Sequence, residues 1–180
     1  PVNKPAAVAH VGPHLAAVER ACEAKDRAAC GVLGVVVKYG IGVPGDHKRA
    51  VALFRQSCEA GSMRACGQLA YQYDVGTGVP KDPVRAVELY RPACEGGSYA
   101  SCADLGVMYF HGTGVAEDES RAVALFRQAC DGGSALGCTN LAAMYIRGYG
   151  VAKDAAKAVA LVQRECDRRV TNACIQLGEI

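Results

Sequence analysis

The sequence predicts an all-α protein built from stacked helix–turn–helix repeats, an α/α solenoid, on two observations. First, the cysteines form two sets that each recur every 36 residues. The sets are Cys22, Cys58, Cys94, Cys130, Cys166 and Cys30, Cys66, Cys102, Cys138, Cys174. Second, a Gly-x-Gly-Val turn recurs with the same period. A fixed period of this length is typical of repeat arrays, in which each repeat buries its apolar face against its neighbours.

Four full repeats begin at Cys22, Cys58, Cys94 and Cys130, and a half repeat begins at Cys166. We expect residues 14–180 to form a single repeat domain. Residues 1–13 lie outside the period and contain three prolines, at positions 1, 5 and 13, so we expect a loose N-terminal lead-in. The chain begins Pro1-Val2 without a Met or a signal segment, which is typical of a mature or trimmed fragment.

The first helix of the repeat that starts at Cys58 is predicted over residues 63–75. Ser62 is a favourable N-cap residue immediately before this stretch. Apolar residues follow at helical spacing, and they are Cys66, Leu69, Ala70 and Tyr73. Glycines at 76 and 78 can adopt positive φ and end the helix. The same pattern recurs one and two periods later, so each full repeat is predicted to contain this helix.

The second helix of each repeat follows the glycine turn. Asp82 is its predicted N-cap and Pro83 occupies its first position, where the missing N–H costs nothing. Its buried side is predicted to consist of Ala86, Val87, Leu89 and Tyr90, and the helix is expected to end near Cys94.

Each C-x7-C pair is predicted to form a disulfide. The first cysteine closes one helix and the second opens the next, so both lie near the same corner, within the Cα separation of about 5–6 Å that a disulfide requires. The predicted bridges are Cys22–Cys30, Cys58–Cys66, Cys94–Cys102, Cys130–Cys138 and Cys166–Cys174. Zinc is the alternative, but it requires four converging ligands and closer spacing. Disulfides indicate an oxidising compartment, and hence a periplasmic or secreted protein.

The composition disfavours two classes of partner. The net charge is +2, and each basic side chain of the second helices has an acid at helical spacing. This pattern predicts a solvated surface whose charges pair with one another, and it predicts no nucleic-acid binding. The predicted pairs join Arg49, Arg85, Arg121 and Lys157 to the Asp three residues before, and Arg55, Arg91 and Arg127 to the acid four residues after. No apolar run approaches the ~18 residues of a membrane span, so no transmembrane segment is predicted.

The motif L-[GA]-x2-Y-x2-G-x-G-V-x2-D-x3-A-V-x-L-[FY]-x3-C resembles the Sel-one-like repeats, which are related to tetratricopeptide repeats. The C-x7-C pair is similar to that of the Helicobacter cysteine-rich proteins (Hcp), and the resemblance covers residues 22–180. It implies a right-handed solenoid, export from the cytoplasm and use as a protein-interaction scaffold. It also implies two alternatives: a weak penicillin-binding protein or β-lactamase with a β-lactam or peptidoglycan-related ligand, and an inhibitor or immunity-type protein that caps one enzyme.

No catalytic motif supports the enzyme alternative. S-x-x-K, G-x-S-x-G, H-E-x-x-H and the P-loop signature are all absent from the sequence. We therefore expect no catalytic residue, no metal site and no cofactor, and the β-lactamase alternative depends on the resemblance alone.

The predicted binding surface is the side of each first helix opposite its apolar stripe, which we name the first-helix face and expect to line the concave groove of the solenoid. It comprises the second, fifth, sixth and ninth positions after the second cysteine of each pair. These positions are Gln68, Tyr71, Gln72 and Val75, then Asp104, Val107, Met108 and His111, then Asn140, Ala143, Met144 and Arg147, with Gln176 in the last repeat. The polar ladder of Gln68, Asp104, Asn140 and Gln176 can hydrogen-bond the backbone of an extended peptide. Apolar and methionine side chains beside it suit an adaptable protein-binding surface.

Overall fold

The computed structural model describes the backbone of residues 5–167 and the side chains of residues 14–165. Over this part, the chain forms nine α-helices and no strand, which confirms the all-α fold class. The helices are α1 (Pro5–Glu23), α2 (Arg27–Tyr39), α3 (His47–Glu59), α4 (Met63–Val75), α5 (Pro83–Glu95), α6 (Tyr99–His111), α7 (Glu119–Asp131), α8 (Ala135–Arg147) and α9 (Ala155–Asp167). The first helices of the repeats are therefore α2, α4, α6 and α8, and the second helices are α3, α5, α7 and α9.

The N-terminal stretch is helical from Pro5 onwards, where a loose lead-in was expected. Proline is tolerated in the first turn of a helix, and the alanines that follow have high helix propensity. The C-terminal half of α1 is anchored because Leu15 and Val18 pack against the core formed by α2 and α3.

The chain divides into two compact units, an N-terminal unit of residues 1–89 and a C-terminal unit of residues 90–180. The N-terminal unit has a buried core that comprises Cys22, Cys30, Leu33, Val37, Ala50, Val51, Phe54 and Leu69. In the C-terminal unit, one cluster of buried residues comprises Cys94, Cys102, Ala103 and Ala129, with Leu125 against it. Half-cystines thus belong to the core of both units.

Helix limits follow the predicted caps. Asp46 and Asp118 accept a hydrogen bond from the backbone N–H three residues later, and Ser62 and Ser134 do the same for their helices. Ser98 differs, because its hydroxyl pairs with the Ser101 hydroxyl at 2.8 Å and makes no capping bond. Each of the first helices ends at a glycine with positive φ, at residues 40, 76, 112 and 148. The glycine turns therefore fix where each first helix stops.

Four of the five predicted disulfides lie within the described residues, and all four are formed. They are Cys22–Cys30, Cys58–Cys66, Cys94–Cys102 and Cys130–Cys138, with Cα–Cα separations of 4.6, 4.6, 4.6 and 4.4 Å. The fifth predicted bridge, Cys166–Cys174, falls outside the described side chains. Each bridge joins the end of one helix to the first turn of the next, so it fixes the corner between two repeats.

Gly106 marks a close contact between α6 and α7. A Cβ atom at this position would lie 2.6 Å from the ring of Phe126, which is buried. We expect Gly106→Ala to lower the free energy of unfolding by about 1–3 kcal/mol, because the added methyl group overlaps the Phe126 ring and one of the two must shift. Urea unfolding measures this change. Gly45→Ala is the matched control, because its Cβ would meet no atom closer than 3.8 Å, and an equal loss in both variants would contradict the packing explanation.

Candidate functional site

The structure leaves part of the first-helix face accessible. Tyr71, His111 and Arg147 are exposed, and Tyr71 has 42% of its surface in contact with solvent. Val75 is exposed as well, and the partly buried members are Gln68, Asp104, Val107, Asn140 and Ala143. Gln176 lies outside the described residues. The second, fifth and ninth positions of the repeat therefore form the accessible part of this face.

The prediction that the sixth position is exposed is wrong. Gln72, Met108 and Met144 retain only 0%, 2% and 3% of their surface. In the C-terminal unit, α6 contacts α8 as well as α7, so a first helix packs against more than the adjacent second helix. The buried arc of a first helix is consequently wider than the apolar stripe of one amphipathic helix, and it includes the sixth position.

Six residues of the first-helix face line one cleft in the C-terminal unit. The cleft has a volume of about 180 Å³ and lies between α6, α7, α8 and the turn after α8. The residues of the face that line it are Val107, His111, Asn140, Ala143, Met144 and Arg147. Phe110, Phe126 and Tyr149 complete the lining.

Aromatic side chains form one rim of the cleft. The Phe110 ring lies 4.9 Å from the His111 ring and 5.6 Å from the Tyr149 ring, measured between centroids. The turn that carries Tyr149 is held by a hydrogen bond of 2.8 Å from the Gly150 N–H to the Glu119 carboxylate. This rim is therefore positioned by contacts between α6, α7 and the turn.

The cleft contains one hydrogen-bond donor without a partner and one permanent cation. The side-chain amide nitrogen of Asn140 is buried and has no hydrogen-bond partner. A buried donor without a partner costs about 1–3 kcal/mol, which a bound acceptor would recover. Arg147 and His111 are exposed, and both line the cleft. None of the nine lining residues is acidic, so the cleft is suited to an acceptor or an anion.

The equivalent place in the N-terminal unit, 72 residues earlier, is filled by the chain's own side chains. Tyr71 stands where the cleft has Ala143, and Lys38 stands where it has Phe110. The Lys38 ammonium lies over the Tyr71 ring, 4.6 Å from its centroid. With the Gln72 amide oriented to satisfy its neighbours, its oxygen accepts from Lys38 at 3.2 Å and its nitrogen donates to the Thr77 carbonyl at 3.2 Å. The two units thus share the same backbone motif, but the cleft is open in the C-terminal unit and its equivalent position holds Tyr71 and Lys38 in the N-terminal unit.

The basic side chains of the second helices have partners that differ from most of those predicted. The acids three residues before Arg49, Arg85 and Arg121 accept from the backbone N–H of these residues. Of this set, Lys157 forms the predicted ion pair with Asp154, at 2.9 Å, whereas Arg49 pairs with Glu19 and Arg85 with Glu88. The second set donates to tyrosine hydroxyls of the following first helix. These bonds are Arg55–Tyr73 at 3.0 Å, Arg91–Tyr109 at 2.8 Å and Arg127–Tyr145 at 3.2 Å.

The ion pairs of this surface shift the pKa values of their members in the expected directions. The hydrogen bond to Glu88 raises the pKa of Arg85. The backbone N–H of Lys157, followed by its ammonium, lowers the pKa of Asp154, and the same pair raises the pKa of Lys157. These groups are exposed pairs on the second helices and do not line the cleft.

Sequence reasoning missed Phe110, Phe126 and Tyr149 as cleft residues. Tyr149 had a visible signal, because it occupies the middle of a Gly-x-Gly turn where two other repeats have threonine. Among the described side chains, no group of three His, Cys, Asp or Glu residues is placed to hold a metal ion. Within the same part of the chain, every helix is too short or too polar to cross a bilayer.

Comparison with known proteins agrees with this architecture. The family model for the Sel1 repeat matches residues 28–62, 64–98, 100–134 and 135–166. A search of curated protein sequences gives no match.

Three solved structures illustrate the similarity. A protective antigen of uropathogenic Escherichia coli strains with an SLR fold has a TM-score of 0.80 and 31% identity, over 92% of this chain and 36% of the antigen. A Sel1 repeat protein from Oxalobacter formigenes has a TM-score of 0.80 and 26% identity, over 87% of this chain and 64% of that protein. The Helicobacter pylori cysteine-rich protein B has a TM-score of 0.58 and 26% identity, over 76% of this chain and 98% of that protein.

The chain thus spans about a third of the first of these proteins and just under two thirds of the second. The family model covers most of the chain, and its successive matches follow the helix pairs and disulfide corners described above. The chain belongs to the Sel1 repeat family.

Proposed function

We propose that the chain is an exported scaffold that binds a segment of a partner protein on its first-helix face. The observation that carries the proposal is the open cleft in the C-terminal unit, where a buried amide donor of Asn140 has no partner. Sel1 repeats are typical of protein–protein interaction, and repeat proteins of this kind bind partners along extended surfaces.

Export is supported by the cysteines. Four disulfides are formed within the described residues, and disulfides persist in the periplasm or outside the cell. The likeness to the cysteine-rich protein B of Helicobacter pylori is consistent with the same environment.

The test is a comparative capture experiment with the envelope fraction of the cells that produce the chain. The wild type is compared with the double variant His111→Ala/Arg147→Ala, which removes two exposed groups of the face. The matched control is His47→Ala/Lys48→Ala, which removes an imidazole and a cation from exposed positions at the start of α3. We expect a protein that is captured by the wild type and the control and is lost in the His111/Arg147 variant.

Other outcomes favour other functions. Equal capture by all three chains would remove the first-helix face from the function. Recovery of a single enzyme in an equimolar complex would favour the inhibitor or immunity-type alternative. Hydrolysis of a chromogenic cephalosporin that follows the chain through successive purification steps would favour the β-lactamase alternative.

A further inference from the structure

We propose that the cleft of the C-terminal unit binds a glutamate side chain of the partner segment, flanked in that segment by apolar residues. This inference rests on the proposed function, since it names the chemistry that the first-helix face recognises. It commits to an internal side-chain carboxylate and not to the carboxylate at the end of a chain.

The charge of the lining selects the ligand. Four lining side chains can donate hydrogen bonds, namely His111, Asn140, Arg147 and Tyr149, and no lining residue is acidic. Asp104 does not line the cleft, and the Glu119 carboxylate accepts the Gly150 N–H at 2.8 Å. A carboxylate in the cleft would pair with the Arg147 guanidinium, and a rotation of the Asn140 side chain would bring its unpartnered amide nitrogen to the same carboxylate. Hydrogen bonds to charged groups are the stronger class.

The apolar lining and the volume favour one side chain with an aliphatic stem. Most of the remaining surface is apolar and is formed by Val107, Phe110, Phe126, Ala143 and Met144. A cavity of about 150 Å³ can hold a benzene molecule, so the cleft of about 180 Å³ has room for a single side chain. The two methylene groups of glutamate would contact these walls. The neighbouring apolar residues of an extended segment would contact the exposed aromatic rim, where Tyr149 is 38% exposed.

The N-terminal unit shows how the same position is closed. There Tyr71 replaces the small Ala143, and the Lys38 ammonium is held by the Tyr71 ring and the Gln72 amide. An incoming side chain would have to displace both. The structure therefore assigns the recognition of the acidic side chain to the C-terminal unit, and it supplies a natural way to close the cleft by mutation.

The test uses four short probes. The first is acetyl-Leu-Glu-Leu-amide, and the second and third carry Gln and Lys in place of Glu. The fourth is acetyl-Leu-Leu-Leu with a free carboxyl end. Binding is followed by NMR titration of the folded, oxidised chain, with the side-chain amide signal of Asn140 assigned by its loss in Asn140→Asp. We expect the Glu probe to shift this signal and to bind about tenfold or more tightly than the Gln probe. A hydrogen bond to a charged group is stronger than one to a neutral group, and the difference corresponds to about tenfold in affinity.

Two variants complete the test. Ala143→Tyr reproduces the side chain of the N-terminal unit and is expected to abolish binding of the Glu probe. Asn140→Asp retains the shape of the side chain but places an acid in the cleft, and it is expected to prefer the Lys probe over the Glu probe. Circular dichroism tests whether each variant is folded. If Ala143→Tyr fails to fold, the preference of Asn140→Asp for the Lys probe still tests the inference.

Equal binding of the Glu and Gln probes, binding of the free-acid probe alone, or no shift in the wild type at millimolar probe would each overturn the inference. These outcomes are distinguishable from failure of the proposed function. Loss of a captured partner in the His111/Arg147 variant, combined with indifference to the Glu probe, would preserve the scaffold function and reject glutamate as its ligand.

Discussion

Reduction of the disulfides is expected to unfold the chain at room temperature. Each bridge closes a short loop, and the chain-entropy model gives about 2–3 kcal/mol of stabilisation for a loop of this length. The four described bridges together give about 10 kcal/mol on the same model, which is comparable with the whole net stability of a typical domain, about 5–15 kcal/mol. The loss of stability on reduction is expected to exceed this entropic contribution, because most of these half-cystines are buried in the core.

Thermal melting followed by circular dichroism, with and without a reducing agent, measures this dependence. Thiol labelling must show that the bridges are fully reduced. The double variant Cys94→Ala/Cys102→Ala isolates one bridge, and we expect it to lower the free energy of unfolding by about 2–5 kcal/mol in urea. A fully reduced chain with an unchanged melting curve would show that helix packing alone maintains the repeats.

The Phe126→Ala substitution is expected to cost about 3–5 kcal/mol, the range for removing a fully buried phenylalanine. The Phe126 side chain is 2% exposed and packs over Gly106, and it also contributes to the floor of the cleft. The same substitution should therefore weaken binding of the glutamate probe. Urea unfolding gives the stability change and the NMR titration gives the binding change.

Phe54→Ala is the matched control for binding. Phe54 is 0% exposed and packs over Gly34 in the N-terminal unit, so its loss is expected to be equally destabilising while the cleft keeps its affinity. Val84→Ala, at a residue that is 57% exposed, is the control for stability and should change it by no more than about 0.5 kcal/mol. Equal loss of binding in both phenylalanine variants would indicate a global effect and contradict a direct role of Phe126 in the cleft.

A double substitution gives an independent check on the packing at Gly106. In the single Gly106→Ala variant the added methyl group clashes with the Phe126 ring, but in the double variant the ring is absent and the methyl occupies part of the space. Contacting residues are coupled, so the combined cost should be smaller than the two separate costs added together. Simple additivity would show that the two positions do not share a packing site.

The repeat period was sufficient to predict the helices of the repeats and the four disulfides that lie within the described residues, but not α1, which begins at Pro5 outside the period. The first helix predicted over residues 63–75 begins at Met63 and ends at Val75, because the serine cap and the positive-φ glycine specify both ends locally. The cysteine pairing could also be predicted, because eight residues and one helix corner leave a single partner within reach.

The accessible surface was harder to predict, because burial depends on contacts beyond one helix pair. The sixth position of the repeat is buried where first helices contact each other, and a helical wheel of one repeat contains no trace of that contact. The open cleft depends on differences between repeats. Ala143 in place of Tyr71 and Phe110 in place of Lys38 change the cleft while the shared motif stays the same.

The spacing of the bridges has a consequence for how the chain acquires them. Every described disulfide joins cysteines eight residues apart, whereas 28 residues separate Cys30 from Cys58, the shortest wrong link between these pairs. The entropy of loop closure favours the shorter link by about 1 kcal/mol even in the unfolded chain. Under the proposed export, correct pairs are therefore expected to close one after another as the chain crosses a membrane, each as soon as its second cysteine emerges. Such a chain has little need of disulfide isomerisation, which many cysteine-rich proteins require to correct mispaired bridges.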